Sequence, residues 1–245
     1  MARAGPPSTG CVTRTVTVER MTISLAEQLV LLAYREDGTA PAAAASLDYG
    51  IAGAYLVELA LAGVVERRDD DKLVVTGRPA GGNALVVAVA NRIRDDKPRT
   101  TRDWLQRLAW KARGPVLDAL VAAEILERRS DKALLIFPRT RFPSVGGGEP
   151  AVETDARTRM RDAVTGESEP DARTAALCGL VGTLGWEGLV FPDLPGKEVK
   201  GRLRELGDGD WAGGAVRQAV KDIEAGLTAA LIAGTVVATT TIVTN

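Results

Sequence analysis

Apolar positions along the chain recur mostly at helical spacing, and the breaks in that rhythm are short and polar. The stretch LDYGIAGAYLVELALAGVV, Leu47 to Val65, predicts a buried helix. Leu56, Leu59, Ala60 and Val64 recur at helical intervals, Gly50, Gly53 and Ala54 leave one side thin enough for a second helix, and Tyr49 and Glu58 interrupt the apolar run. Gly63 marks the stop, and Val64 begins an extended segment. Upstream, Ser24 is placed to cap a helix carrying Leu25, Leu29, Leu32 and Ala33, with Asp37 and Gly38 ending it. Thr39 to Ser46, with Pro41 inside, reads as a loop or helix entry. Downstream, VVERRDDDKLVV predicts two short strands joined by a charged turn at Asp69 to Asp71.

The same design recurs further on, where LDALVAAEILERRSDKALLIF aligns with LVELALAGVVERRDDDKLVV. Leu117 stands for Leu56 and Leu120 for Leu59; Ile125 and Leu126 stand for Val64 and Val65; Glu127, Arg128 and Arg129 stand for Glu66, Arg67 and Arg68. Two copies are too few for a solenoid, so one helix, stop and hairpin unit is used twice within a domain. Between them lie a helix from about Ala84 to Arg94, a polar break at Lys97 to Thr101 and a short amphipathic helix around Trp104 to Lys111. The unit also resembles a winged helix, with residues 113 to 123 in a major groove and the wing at 127 to 142 on phosphate.

After a glycine-rich break from Val145 to Pro150, residues 151 to 164 predict an amphipathic helix. Asp171 to Phe191 is apolar on every side, with Glu187 its lone charge after Arg173, and such a helix belongs at the centre of a bundle. A polar helix begins near Lys197, a glycine-rich turn precedes Trp211, and a further helix runs from about Ala215. The uncharged tail from Ala225 to Asn245 holds six threonines between Thr228 and Thr244, which weakens it as a membrane anchor and leaves a closing strand or a buried helix. Residues 1 to 20 lack an apolar stretch of signal-peptide length and read as a disordered leader or an overextended start, with the domain at 21 to 245, which argues against export.

Composition narrows the chemistry. The formal charge is -1, but Arg92 to Arg141 carries 13 Lys and Arg against 7 Asp and Glu, leaving the rest of the chain at -7. Such a local excess suits an anionic partner. There is no histidine, which removes the usual general base, the Ser-His and Cys-His dyads and the commonest transition-metal ligand. Cys11 and Cys178 lie far apart outside any CxxC pattern, as suits a reducing compartment. Arginine exceeds lysine and Ala, Gly and Val abound, which fits coding by a GC-rich bacterial genome.

Gly81-Gly82 follows a strand without GxGxxG or GxxxxGK[ST], so no nucleotide loop is supported. Asp69 to Asp71 are adjacent carboxylates in a turn, an arrangement that normally faces water. No catalytic residue, metal ligand or cofactor is singled out. FPRTRFPS, read as the end of the second hairpin, concentrates Phe137, Pro138, Arg139, Arg141, Phe142 and Pro143 at its tip, where rings and guanidinium groups suit a lipid headgroup boundary. A wing whose phenylalanines fold back on the core is the alternative.

LDYGIAGAYLVELALAGVVE, TGRPAGGNAL, VLDALVAAEILERRSDKALLIFPRTRFP and PDARTAALCGLVG, in that order, resemble the Golgi phosphoprotein 3-like family from about Met21 onward. The resemblance implies a mainly α single domain, with amphipathic helices around one central hydrophobic helix, here Ala175 to Val190, and a protruding β-hairpin. It also implies a non-catalytic peripheral adaptor binding phosphatidylinositol 4-phosphate. Of the family's pocket, the tryptophan falls in the Ala42 to Ala45 run and is missing, and the arginine between the helix glycines is Ala52. One later arginine is Arg113, and the other falls at Trp110 and Lys111. The expected lipid-binding set is Trp110, Lys111, Arg113, Arg139, Arg141 and Phe142, with hairpin Lys132 to Ser144, at the inner face of the membrane. The expected partner is an anionic phospholipid or phosphoinositide; a protein cargo and a homo-oligomer through the hairpin stay open. A winged-helix-like nucleic-acid-binding regulator is the alternative.

Overall fold

The first turn of the first helix ties three parts of the chain together. In the computed structural model, which describes residues 23–40, 44–133, 137–209 and 213–242, Ser24 caps α1 (Leu25–Ala33) and shares a reciprocal capping box with Glu27. The same Glu27 carboxylate accepts from the Asn83 side-chain amide at 2.7 Å, while Asn83 caps α3 (Ala84–Asp95). From α2 (Ala44–Leu61), Glu58 accepts the Leu25 N–H at 2.8 Å and pairs with Arg173, which also donates to the Ile23 carbonyl. Glu58, which interrupts an apolar run in sequence, thus satisfies an orphan donor at another helix's N-terminus.

The core is shared between α2 and α7 (Ala172–Leu184), with the wholly buried α1 beside them. Around them pack α3, α4 (Thr101–Ala109), α5 (Arg113–Ala122), α6 (Ala151–Thr165), the short α8 (Glu187–Val190), α9 (Gly196–Asp208) and α10 (Gly214–Ile242). The thin side of α2 does what small residues allow: a methyl at Gly53 would stand 3.2 Å from Leu227 of α10, and one at Gly50 2.9 Å from Leu184 of α7. Gly63, at φ +65°, turns the chain out of α2.

Strands β1 (Val65–Arg67) and β2 (Lys72–Val75) form the expected antiparallel hairpin, with Asp71 at φ 60° in its exposed turn. A third strand, β3 (Arg99–Thr100), pairs with β2 where a polar break is expected. Two residues are too few to show a periodicity. The second hairpin is β4 (Arg129–Ala133) with β5 (Phe137–Arg141), closed at its base by a bridge from Leu126 to Ser144.

Three boundaries differ from expectation. Helix α1 stops at Ala33, because Tyr34 turns extended, rather than at Asp37 and Gly38. The apolar helix ends at Leu184 with Gly185 at φ +68° and restarts as α8, so it does not run to Val190. The hairpin's FPRTRFPS is not its tip. Register pairs Arg129 with Arg141 and Ala133 with Phe137, so Arg141 and Phe142 lie at the base and Phe137 at the far end of the paired strands. Pro138 read as a turn residue in sequence, yet it sits in a two-stranded hairpin whose edges tolerate proline. The leader, Cys11, Met21, Ala42, Trp211, the hairpin turn and the Phe137 side chain lie outside the described residues.

Candidate functional site

Helix α4 ends at Ala109 and α5 begins at Arg113, so Trp110 to Ala112 must turn a corner between two amphipathic segments. Lys111 takes φ 58°, a backbone region costly for a side-chain-bearing residue. This leaves Trp110 76% exposed, with the Lys111 ammonium 5.8 Å from its ring centroid. The α5 N-terminus has Ala112 at its cap and no side-chain cap hydrogen bond, so the positive end of its dipole is uncompensated by an acidic cap next to Lys111 and Arg113.

Arg113 is anchored rather than loose. Its Nε donates to Asp48 Oδ1 at 2.7 Å, and its positive charge acts on the nearby Tyr34 phenol. Burial raises the Tyr34 pKa, the Arg113 contacts opposing it, so the phenol stays neutral. The Tyr34 ring then meets Phe142 edge to face at 6.3 Å, and the Arg128 guanidinium lies 5.5 Å from the Phe142 ring centroid. A continuous chain of contacts thus leads from Asp48 and Arg113 to the base of the second hairpin.

Phe142 is partly buried, and its N–H donates to Gly38 O at 2.8 Å, so it is not an inserting tip residue. Gly38, at φ +75°, lies so close that a methyl there would collide with the Phe142 and Pro143 backbone. Arg139 is exposed and Arg141 half-buried, and the register puts both on one face with Arg129. The Asp37 carboxyl is held below the usual range, first by Thr39 hydrogen bonds and further by the fields of Arg139 and Arg141. Among the described residues, β4 and β5 pair with each other and pack on no helix to any extent, so the hairpin stands off the body.

Trp110, Lys111 and Arg113 therefore form one corner, Phe142 supports it from behind, and Arg139 and Arg141 lie on the adjoining hairpin. Sequence reasoning missed Asp48, Tyr34 and Arg129. Asp48 carried a usable signal, an acid near the start of an otherwise apolar helix; Tyr34 carried none. Ala52 is fully buried, so the position expected to hold a pocket arginine faces the core. The exposed side of α5 beyond its first residue offers Gly114, Pro115, Asp118 and Ala122, so the cations of this helix are confined to its N-terminal end.

Among the described residues no group of three or more His, Cys, Asp or Glu could hold a metal, and no helix is long and apolar enough to cross a membrane. The fold and the corner define a class: a mainly helical domain with a projecting hairpin and an exposed cationic corner. More particularly, the chain belongs to the Golgi phosphoprotein 3 (GPP34) family, which it matches over residues 25–223. No curated protein matches it.

Proposed function

We propose that this chain is a peripheral membrane protein that docks on anionic phospholipid, phosphoinositides included, at the cytoplasmic face of a membrane, and acts without catalysis. The observation that carries the reading is the α5 corner: an uncapped helix N-terminus flanked by Lys111 and Arg113, with Trp110 exposed beside them. Indole at a headgroup boundary with cations next to it is the chemistry of interfacial attachment. The hairpin supports it with Arg129, Arg139 and Arg141 on one face. Each cation near an anionic surface contributes on the order of 1 kcal/mol, so attachment is reversible and weakens with salt.

Co-sedimentation with neutral and anionic vesicles tests this, using wild type and a Lys111→Ala, Arg113→Ala double variant. Wild type pellets with anionic vesicles only, and the double variant stays in the supernatant. Equal pelleting of the two proteins, or none of wild type with any vesicle, overturns the proposal.

A further inference from the structure

The chain enters the described body at Ile23, and that entry point opens on a groove. The Ile23 carbonyl accepts from the Arg173 guanidinium, which also pairs with Glu58 of α2. Glu58 and Arg173 form one wall of a groove of about 530 Å³ whose remaining lining is apolar. Leu61, Ala62, Val64, Ala80, Val86 and Val216 supply most of it, from the end of α2, the approach to α3, α3 itself and the start of α10. Ala62 is exposed, and Leu61, Ala80 and Val216 are half-buried. The two charges of the wall are paired with each other, so the groove offers apolar surface to an occupant with little charge.

Residues 1–22 precede this point, and their two halves differ in kind. Met1 to Gly10 holds two prolines and two glycines, whereas six of the seven residues from Val12 to Val18 are β-branched, the composition of an extended segment. Side chains alternate along such a segment, so Val16 and Val18 share one face and Thr15 and Thr17 the other. Arg14 is the one charge between Val12 and Val18. Val18 is five residues from Ile23 and so stays within about 17 Å of it at full extension, in reach of a groove whose wall holds the Ile23 carbonyl.

We propose that residues 12–21 return across the body as an extended strap, with Val16 and Val18 seated in the groove between α2, α3 and α10 and the threonines facing water. The strap ties the start of the chain to α10, and a partner that takes the groove must displace it. The inference is independent of lipid docking, which uses none of these residues.

Limited trypsin digestion of the full chain, read by mass spectrometry, tests it, because Arg3 lies outside the strap and Arg14 and Arg20 lie within it. A synthetic peptide of residues 1–22 gives the rate of each cleavage in free chain. In wild type the Arg3 bond is cut at the peptide's rate and the Arg14 and Arg20 bonds about tenfold more slowly or slower still, the order expected when cleavage waits on local opening. Ala62→Glu sets a charge against the valines from an exposed position, and a Val16→Asp, Val18→Asp double variant leaves the body untouched; each restores the peptide's rates. Peptide-like cleavage of wild type, or protection retained by either variant with native circular dichroism, overturns the inference. Protection that is lost on dilution also overturns it, because it assigns the groove to a second copy of the chain. The double variant decides the matter even where Ala62→Glu folds poorly.

Discussion

Where α10 crosses the notch between α7 and α9, Glu224 lies over Gly179, with its Oε1 buried and without a hydrogen-bond partner. A methyl at Gly179 would occupy the space this oxygen holds, so the acid is seated on bare backbone. Burial, with Asp208 adding to it and Lys221 opposing, raises its pKa from 4.5 to about 7. The other charges lining the notch are Lys200 and Arg204 of α9 at the rim, and Lys221 is itself paired to Asp208 at 2.8 Å. A shift of that size at about 1.36 kcal/mol per unit corresponds to about 3 kcal/mol of differential stability. The sign follows from proton binding. Between 4.5 and about 7 the folded chain holds the proton that the unfolded chain has lost, so stability is highest at the acid end of this window. It falls as pH rises and levels off above the folded pKa.

Glu224→Gln keeps the shape and removes the titration. At pH 8 the variant should be more stable than wild type by about 1–3 kcal/mol, the lower bound allowing for an amide in the same crevice, and near wild type at pH 4.5. For a chain of this size that gain raises the melting temperature by about 2–4 °C per kcal/mol. Urea titrations followed by circular dichroism at half-unit pH steps measure the difference curve. A variant whose stability runs parallel to wild type from pH 4.5 to 8 would refute the reasoning, because the slope then belongs to other groups.

Gly38→Ala should cost well over 2 kcal/mol and loosen the hairpin base, since its methyl meets the Phe142 and Pro143 backbone. Gly82→Ala, at φ +81° in open space, should cost only about 1 kcal/mol for the left-handed backbone; equal costs in denaturant melts would count against the Gly38 contact. The buried Cys178 thiol is pushed up to about 12 by desolvation. In a Cys11→Ser background it should resist a disulfide reagent at pH 8 until denaturant is added, and prompt labelling would contradict its placement. Trp104 is sealed and Trp110 is exposed, so anionic vesicles should blue-shift the emission of wild type and leave Trp110→Phe unshifted.

Helices were legible wherever a long apolar rhythm coincided with a cap: Ser24 before α1, Asn83 before α3, and Gly63 after α2 all sit where the residue types place them. Both hairpins were legible as extended segments following a helix stop, but only the first declared its turn, in the charged run Asp69 to Asp71. What could not be read locally depended on pairing across the chain. Strand β3 exists because β2 offers an edge in register with it, Lys72 opposite Thr100 and Leu73 opposite Arg99, not because Arg99 and Thr100 favour extension. The corner was half legible: Lys111 and Arg113 announce a cation pair, but only the fold brings Asp48, 65 positions away, onto Arg113. The error at the hairpin tip has the same origin, because strand register is a property of two segments.

The repeated unit shows how far one local design can diverge under different surroundings. Both copies open Glu-Arg-Arg after a helix stop, at Glu66 to Arg68 and Glu127 to Arg129. In the first, Arg67 reaches Asp222 of α10 at 2.8 Å and Asp71 at 2.7 Å, a third strand closes one edge, and α3 packs on β2. One of its cations thus ties the hairpin to α10, and a strand and a helix cover part of its surface. In the second, Arg128 turns to Asp118 and Phe142 and Arg129 to Glu127, all within the unit itself, and among the described residues no other element packs against the strands to any extent. Exposed ion pairs of this kind are worth at most about 1 kcal/mol each, so they yield readily to a better anion. The same sequence motif is therefore a structural brace where α10 covers it and an available cationic face where no helix does. That difference, rather than the motif, supports assigning membrane contact to the second copy.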